Sequence, residues 1–427
     1  MLKNCVNFLT SLRLTVVCLG LAIIVVFVGT LAEVRIGLYA AQAEIFRSFF
    51  VHWTPRGTHL RIPVFPGGWL VGLVLLANLL AAHIQRFQFS KKKIGILLVH
   101  AGLIFLLAGQ FLTEMCQVES QMRLPVGATM NYTEDSRNHE LAVVDVTDPS
   151  HDSVVSIPEA LLAKGGEIIP PGLPFTLRVE SYFPNSKPTG PMTGDAVRLQ
   201  ASQGIGQKLL FAPLPNAERM DDENRPTALI EVLDGKQSLG DWTVSYWLAR
   251  PPLAEELQAQ FGAMLKVSLT EPQGFQVAGR TYQLALRPTR YPKPYSITLL
   301  EFKHDTYPGT DIPSNFSSKI HLRDPARGED RDVLIRMNSP LRYGGETFYQ
   351  ASFEEGDQVS ILQVVRNPAA ITPYVACTLV ATGLIVQFLM HLIGFVRKRT
   401  QQLPPVPAAA KPQKILQPAL AGKRSDR

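Results

Sequence analysis

Cysteine is scarce in this chain of 427 residues: there are four, Cys5, Cys18, Cys116 and Cys377. No two form a Cys-x-x-Cys pair, which argues against a thiol oxidoreductase, and no Cys-x-x-Cys-His is present, so the chain is not itself a c-type cytochrome. Cys18 and Cys377 fall inside apolar runs and Cys5 precedes the first of them. Only Cys116 borders the polar middle of the chain, so no disulfide is expected there. Cys116 reads as a membrane-edge cysteine or a free thiol with a role. Tryptophan is also scarce, with Trp53, Trp69, Trp242 and Trp247 dispersed along the chain. Gly204-Ile-Gly206 lacks the downstream pattern of a phosphate loop and reads as a turn. His139, His151, His304 and His321 show no metal-ligand spacing and read as surface histidines. No catalytic constellation stands out.

Charge is low, at 18% of residues against 46% hydrophobic, and the apolar residues are unevenly spread. Four runs are long enough to cross a bilayer, at 14–32, 67–84, 94–112 and 371–395. The expected organisation is an N-terminal membrane region (1–112) with three transmembrane helices, a polar domain (113–370), a fourth helix (371–395) and a basic, disordered tail (396–427). Lys3 and Arg13, then Arg86, Lys91, Lys92 and Lys93, then Arg397, Lys398 and Arg399 flank the runs and exceed the net charge of +6. Positive flanks mark the cytoplasmic side. Both termini are therefore expected inside, and residues 113–370 outside. The basic balance reads as membrane topology, not nucleic-acid binding. The first run loosely resembles a cleavable signal, ending Gly29-Thr30-Leu31-Ala32, but exceeds the usual apolar length and is expected to stay as an anchor.

The polar domain reads mainly as β. "PFTLRVESYF", "DWTVSYWL", "TYQLALRP", "YSITLLEFKH", "SSKIHLRD", "DVLIRM" and "TFYQASF" are short and rich in β-branched and aromatic residues. Pro288, Pro292, Pro294, Pro308-Gly309 and Gly344-Gly345 punctuate them. A helix is expected over Pro251–Ala263, where proline opens a run of helix formers. The fold class is a membrane protein of four transmembrane α-helices with a large extracytoplasmic, mainly-β, sandwich-like domain. In the outer loop 33–66, His52 and His59 read as interfacial residues among aromatics and arginines.

The run from Ile94 to Leu112 keeps one imidazole, His100. An ionisable group in hydrocarbon is costly and marks a functional hypothesis, with a hydrogen bond to neighbouring backbone as the plain alternative. Gly95, Gly102 and Gly109 recur every seven residues, a narrow small-residue stripe that lets a second helix approach closely. His100 lies about 140° around the helix from that stripe, so it should face a different neighbour. By residue count His100 lies about 9 Å inside the cytoplasmic edge and His391 about 6 Å, whereas His83 is almost at the edge.

One segment is more specific than its composition. Asn338-Ser-Pro-Leu-x-Tyr343-x-Gly345 with Phe348-Tyr349-Gln350 reads as a strand, a turn, a hairpin tip and a returning strand. Followed by "LQVVRNP" and the fourth run, it resembles the end of the ResB family of cytochrome c biogenesis proteins (System II). "LANLL" in the second run and "HAGLIFLLAG" in the third agree, as does the layout, and the resemblance extends to Arg399. It implies a role with a CcsA-type (ResC-type) membrane partner, which carries a tryptophan-rich motif, in delivering haem and attaching it to apocytochrome c. Thiol-reducing proteins are further partners it allows. Lacking a clustered Trp-x-Trp-Asp, this chain departs from fused versions and would be a non-catalytic subunit of a haem lyase complex in the cytoplasmic (inner) membrane. The family's third-span histidine resembles a ligand to haem in transit and maps onto His100. The second ligand is left between a partner histidine, His391 and, more weakly, His83. The alternative is a membrane-anchored scaffold that holds no cofactor.

Overall fold

The computed structural model describes residues 2–55, 60–85, 90, 93–189, 201–217, 223–266, 268–309, 313–354 and 358–402. His59 and the Pro/Ala-rich tail beyond residue 402 lie outside these. Among the described residues, four helices are long and apolar enough to cross a membrane: Leu12–Leu38, Gly68–Gln85, Ile94–Cys116 and Thr372–Thr400.

A short helix, α1 (Leu2–Leu9), precedes α2 (Leu12–Ala41), in which Gly37 has a positive φ and breaks the helical path. The hairpin β1 (Phe50–Trp53) and β2 (Ile62–Pro66) leads to α3 (Gly68–Gln85) and α4 (Ile94–Cys116). The chain then runs through β3 (Val118–Pro125), β4 (Thr129–Asp145), β5 (Ser153–Pro158), α5 (Glu159–Lys164), β6 (Gly166–Ile168), β7 (Thr176–Phe183) and β8 (Ser186–Thr189). It continues with β9 (Leu210–Pro213), β10 (Thr227–Asp234), β11 (Gln237–Ser245), α6 (Tyr246–Ala249), α7 (Pro251–Leu265) and β12 (Gln273–Val277). The domain closes with β13 (Arg280–Thr306), β14 (Pro313–Asp324), β15 (Glu329–Arg336), β16 (Leu341–Tyr343), β17 (Glu346–Glu354) and β18 (Val359–Arg366). The last helix, α8 (Thr372–Gln402), continues through Arg397, Lys398 and Arg399, so the basic stretch expected to be disordered begins as helix.

Alternation makes the strands. In β14, Ile320 and Leu322 are fully buried while Lys319 and Arg323 point the other way, as period-2 backbone requires. One sheet orders β11-β10-β7-β6; the larger orders β15-β14-β13-β4-β3-β18-β17-β16, with β12 added to β13 and β5 to β4. Leu141, Val143 and Leu286 of the large sheet share a core with Leu177, Ile230 and Val244 of the small one. A second core, including Met122, Ile297, Ile320 and Phe348, gathers strands from both ends of the large sheet.

Three sequence expectations shift here. "DWTVSYWL" is strand only to Ser245; Ser245 Oγ then accepts from the Trp247 N–H and caps α6. Pro288, Pro292 and Pro294 do not end strands but lie inside β13. Register shifts between Pro288 and Arg290, and between Pro292 and Ile297, accommodate the missing N–H groups. His139 is not at the surface: it is 6% exposed and donates its backbone N–H to Glu159, with its ring Nδ1 at 3.0 Å from the same carboxylate. Burial alone would raise the Glu159 carboxyl, but hydrogen bonds from His139 and Tyr182 outweigh it and hold it below its ordinary value.

Candidate functional site

Helices α4 and α8 pack through the glycine stripe. Gly95, Gly102 and Gly109 are the buried residues of α4. A Cβ at Gly102 would stand 2.8 Å from the Ala376 carbonyl oxygen and 2.6 Å from Val380 Cγ2; one at Gly95 would stand 2.8 Å from the Gly383 carbonyl. The helices therefore approach at backbone distance. At the end away from Lys93, Asn367 Nδ2 donates to Thr113 Oγ1 and Gln117 Oε1, each at 3.3 Å, tying the exit of α4 to the entry of α8. Gly102→Leu should lower the stability of the detergent-solubilised chain by about 1–3 kcal/mol, because α8 backbone has no room to yield. Gly72→Ala on α3, where nothing lies within 4 Å, should leave the melting temperature unchanged.

Away from that stripe α4 meets α3. Trp69 packs edge-on against Phe111 at 5.4 Å near one end. Near the other, the His83 ring lies 5.8 Å from the His100 ring, at an interplanar angle of 34°. His100 Nδ1 sits 2.8 Å from the Ile96 carbonyl oxygen. A carbonyl only accepts, so Nδ1 carries a proton, and in the neutral ring Nε2 has the lone pair. The backbone bond and a ligand role are thus compatible, since they use different nitrogens. Metal-binding imidazoles are commonly held in this way by a carbonyl at the far nitrogen.

His391 is engaged differently. It is exposed on α8, and its Nε2 lies 2.8 Å from the Gln387 side-chain amide. The structure brings His83 and His100 together, and pairs His391 with Gln387. Among the described residues, no group of three or more His, Cys, Asp or Glu could hold a metal ion. Cys116 is a free, exposed thiol at the end of α4.

Sequence reasoning passed over Asn78, inside "LANLL". It is 1% exposed, accepts from Thr15 Oγ1 at 2.6 Å and donates to the carbonyls of Leu9 and Ser11. The Leu9 carbonyl ends α1 and is capped by the Asn78 amide, while the Ser11 carbonyl, which also accepts from the Leu14 and Thr15 N–H groups, is shared between that amide and the first turn of α2. A polar residue in an apolar run was the available signal.

The segment Asn338–Gln350 is a hairpin, as its turn chemistry suggests. Gly344 and Gly345 carry φ of +61° and +81° at its tip. Glu346 then pairs with Lys293, both nearly buried, and accepts from the Tyr295 hydroxyl at 2.7 Å. Tyr343 donates to the buried Asp324 at 2.7 Å. These bonds fasten β16 and β17 to β13 and β14, so the segment's polar residues hold the fold together.

Residues 256–361 match the ResB-like family. The chain is also 33% identical over 102 residues to Protein NrfI of Wolinella succinogenes, an alignment covering 24% of this chain and 11% of that protein. The resemblance carried by Asn338–Gln350 therefore holds over the stretch that contains it. His83, His100 and His391 lie outside residues 256–361.

Proposed function

Taking its ResB-like segment as premise, we propose that this chain is a membrane factor of cytochrome c biogenesis that holds haem with a CcsA-type partner and brings apocytochrome c to it. The β domain, sandwich-like where its two sheets share a core, lies on the extracytoplasmic face of the cytoplasmic membrane, and both termini lie inside. Charge supports that orientation. Because α4 and α8 are antiparallel, with Gly95 against Gln387 and Gly109 against Thr372, Lys93 and Arg397–Arg399 share one end of the pair. Cations gather on the cytoplasmic side of membrane helices.

The observation that carries the haem assignment is the pair of facing imidazoles, one with its Nδ1 proton fixed by backbone. Imidazole donors on apolar helices suit an iron porphyrin, which His100 Nε2 and His83 would hold. When bound, haem supplies the vinyl groups that become thioether-linked to apocytochrome cysteines. This chain's residues retain and orient it. Removing the chain from its host membrane should abolish haem-stained c-type cytochromes on denaturing gels while b-type absorbance persists. Undiminished c-type cytochromes would end the reading.

A further inference from the structure

Strand β5 is an unprotected edge. It pairs with β4 on one side and with no other strand among the described residues. Which backbone groups face outward follows from its neighbours. Pro288 of β13, without an N–H, stands opposite His139, and the His139 N–H goes to Glu159 instead. Antiparallel pairs alternate, so Leu141 and Val143 also turn their backbone groups toward β5, where they meet Ile157 and Val155. The N–H and C=O of Val154 and Ser156 are left on the open edge. Edge strands are ordinarily blunted by charge, bulges or cover. β5 reads Ser-Val-Val-Ser-Ile-Pro, carries no charge and keeps an unbroken register with β4.

The same two residues, with Asp152, line a cavity of about 850 Å³ between the outward face of β4 and β13 and the helix α7. Its two arginines are already neutralised, Arg287 by Glu140 and Arg290 by Glu134. Asp152, Glu255 and Glu271 also line it and make no ion pair among the described residues. The groove therefore presents uncompensated negative charge beside an open strand edge.

We propose that β5 accepts an extended, cationic peptide segment as an added strand, with alternate basic side chains turned over the groove toward Asp152, Glu255 and Glu271. Backbone bonds to Val154 and Ser156 hold such a segment whatever its sequence, and the acidic groove selects its charge. Its natural source in the reading above is apocytochrome c; that attribution rests on the proposed function, whereas the edge itself does not.

The test uses the full chain in detergent and a labelled ten-residue peptide of alternating lysine and threonine. Saturable binding is expected, weakening as salt is raised, with none for the alternating glutamate–threonine peptide. Val154→Pro removes one outward N–H and leaves the β4 side untouched, so affinity should fall about tenfold. Asp152→Lys with Glu255→Lys should do the same through charge, and equal melting temperatures would show that the variants are folded. Absence of binding to the unaltered chain, or affinity unchanged by both alterations, would overturn the proposal. A reduced peptide spanning the Cys-x-x-Cys-His segment of a c-type cytochrome should compete for the edge. Lysine–threonine binding without that competition would remove apocytochrome as the source and leave strand addition standing.

Discussion

Arg287→Leu is expected to cost the β domain about 3–5 kcal/mol, the range for removing one partner of a buried ion pair. Glu140 is 2% exposed, and its carboxylate accepts from Arg287 Nε at 3.0 Å and from Ser156 Oγ at 2.5 Å. Without the guanidinium, Glu140 must stay ionised in a poorly solvated place or take up a proton, and either raises the energy of the folded state. Ser156→Ala, by contrast, leaves the pair intact and should cost about 1 kcal/mol. The double change Arg287→Leu with Glu140→Leu should recover most of the loss, because it leaves no orphaned charge. Chemical denaturation of the full chain in detergent, followed through the domain's tryptophans, reads all three. A single-variant loss below about 1 kcal/mol would show that Ser156 suffices for Glu140.

Local chemistry decided what the sequence made legible. The glycine stripe on α4 could be found because a seven-residue spacing keeps three small residues on one helix face, and α8 does lie against it. The hairpin at Gly344-Gly345 was legible for the same reason, since positive φ is a local demand. Partnerships across long separations were not. Nothing near Lys293 in sequence points to Glu346, and nothing near His139 shows that Glu159, at the start of α5, would supply a buried acceptor. The prolines of β13 misled because proline signals a break only when the neighbouring strand cannot shift its register.

The histidines are the instructive case. Counting residues from the membrane edge ranked His391 above His83, since His83 sits in the last turn of α3. That count ignores side-chain direction. Helical side chains lean toward the helix N-terminus. In α3 this carries the His83 ring deeper, and in the antiparallel α4 it carries the His100 ring toward the edge. The two lean toward each other, and the rings meet at 5.8 Å.

The last expectation follows from that meeting. His100→Ala should leave insertion unharmed, since alanine suits an apolar helix better than histidine. Under the proposed function, the variant should accumulate with a CcsA-type partner yet retain less haem by about tenfold or more, losing a ligand where loss of a supporting contact already costs that much. Cytochrome c maturation should fall with it, and added imidazole should restore part of both by entering the vacated space. His83→Ala should show a comparable loss, with the low-spin bands of a two-imidazole haem giving way to high-spin ones in the purified complex. His391→Ala should change haem content little, because the ring that meets His100 is that of His83. The reverse pattern, with haem kept in His83→Ala and lost in His391→Ala, would reduce the His83–His100 contact to packing. Normal haem and normal maturation in His100→Ala would remove the ligand assignment altogether, leaving the imidazole as a polar group satisfied by Ile96.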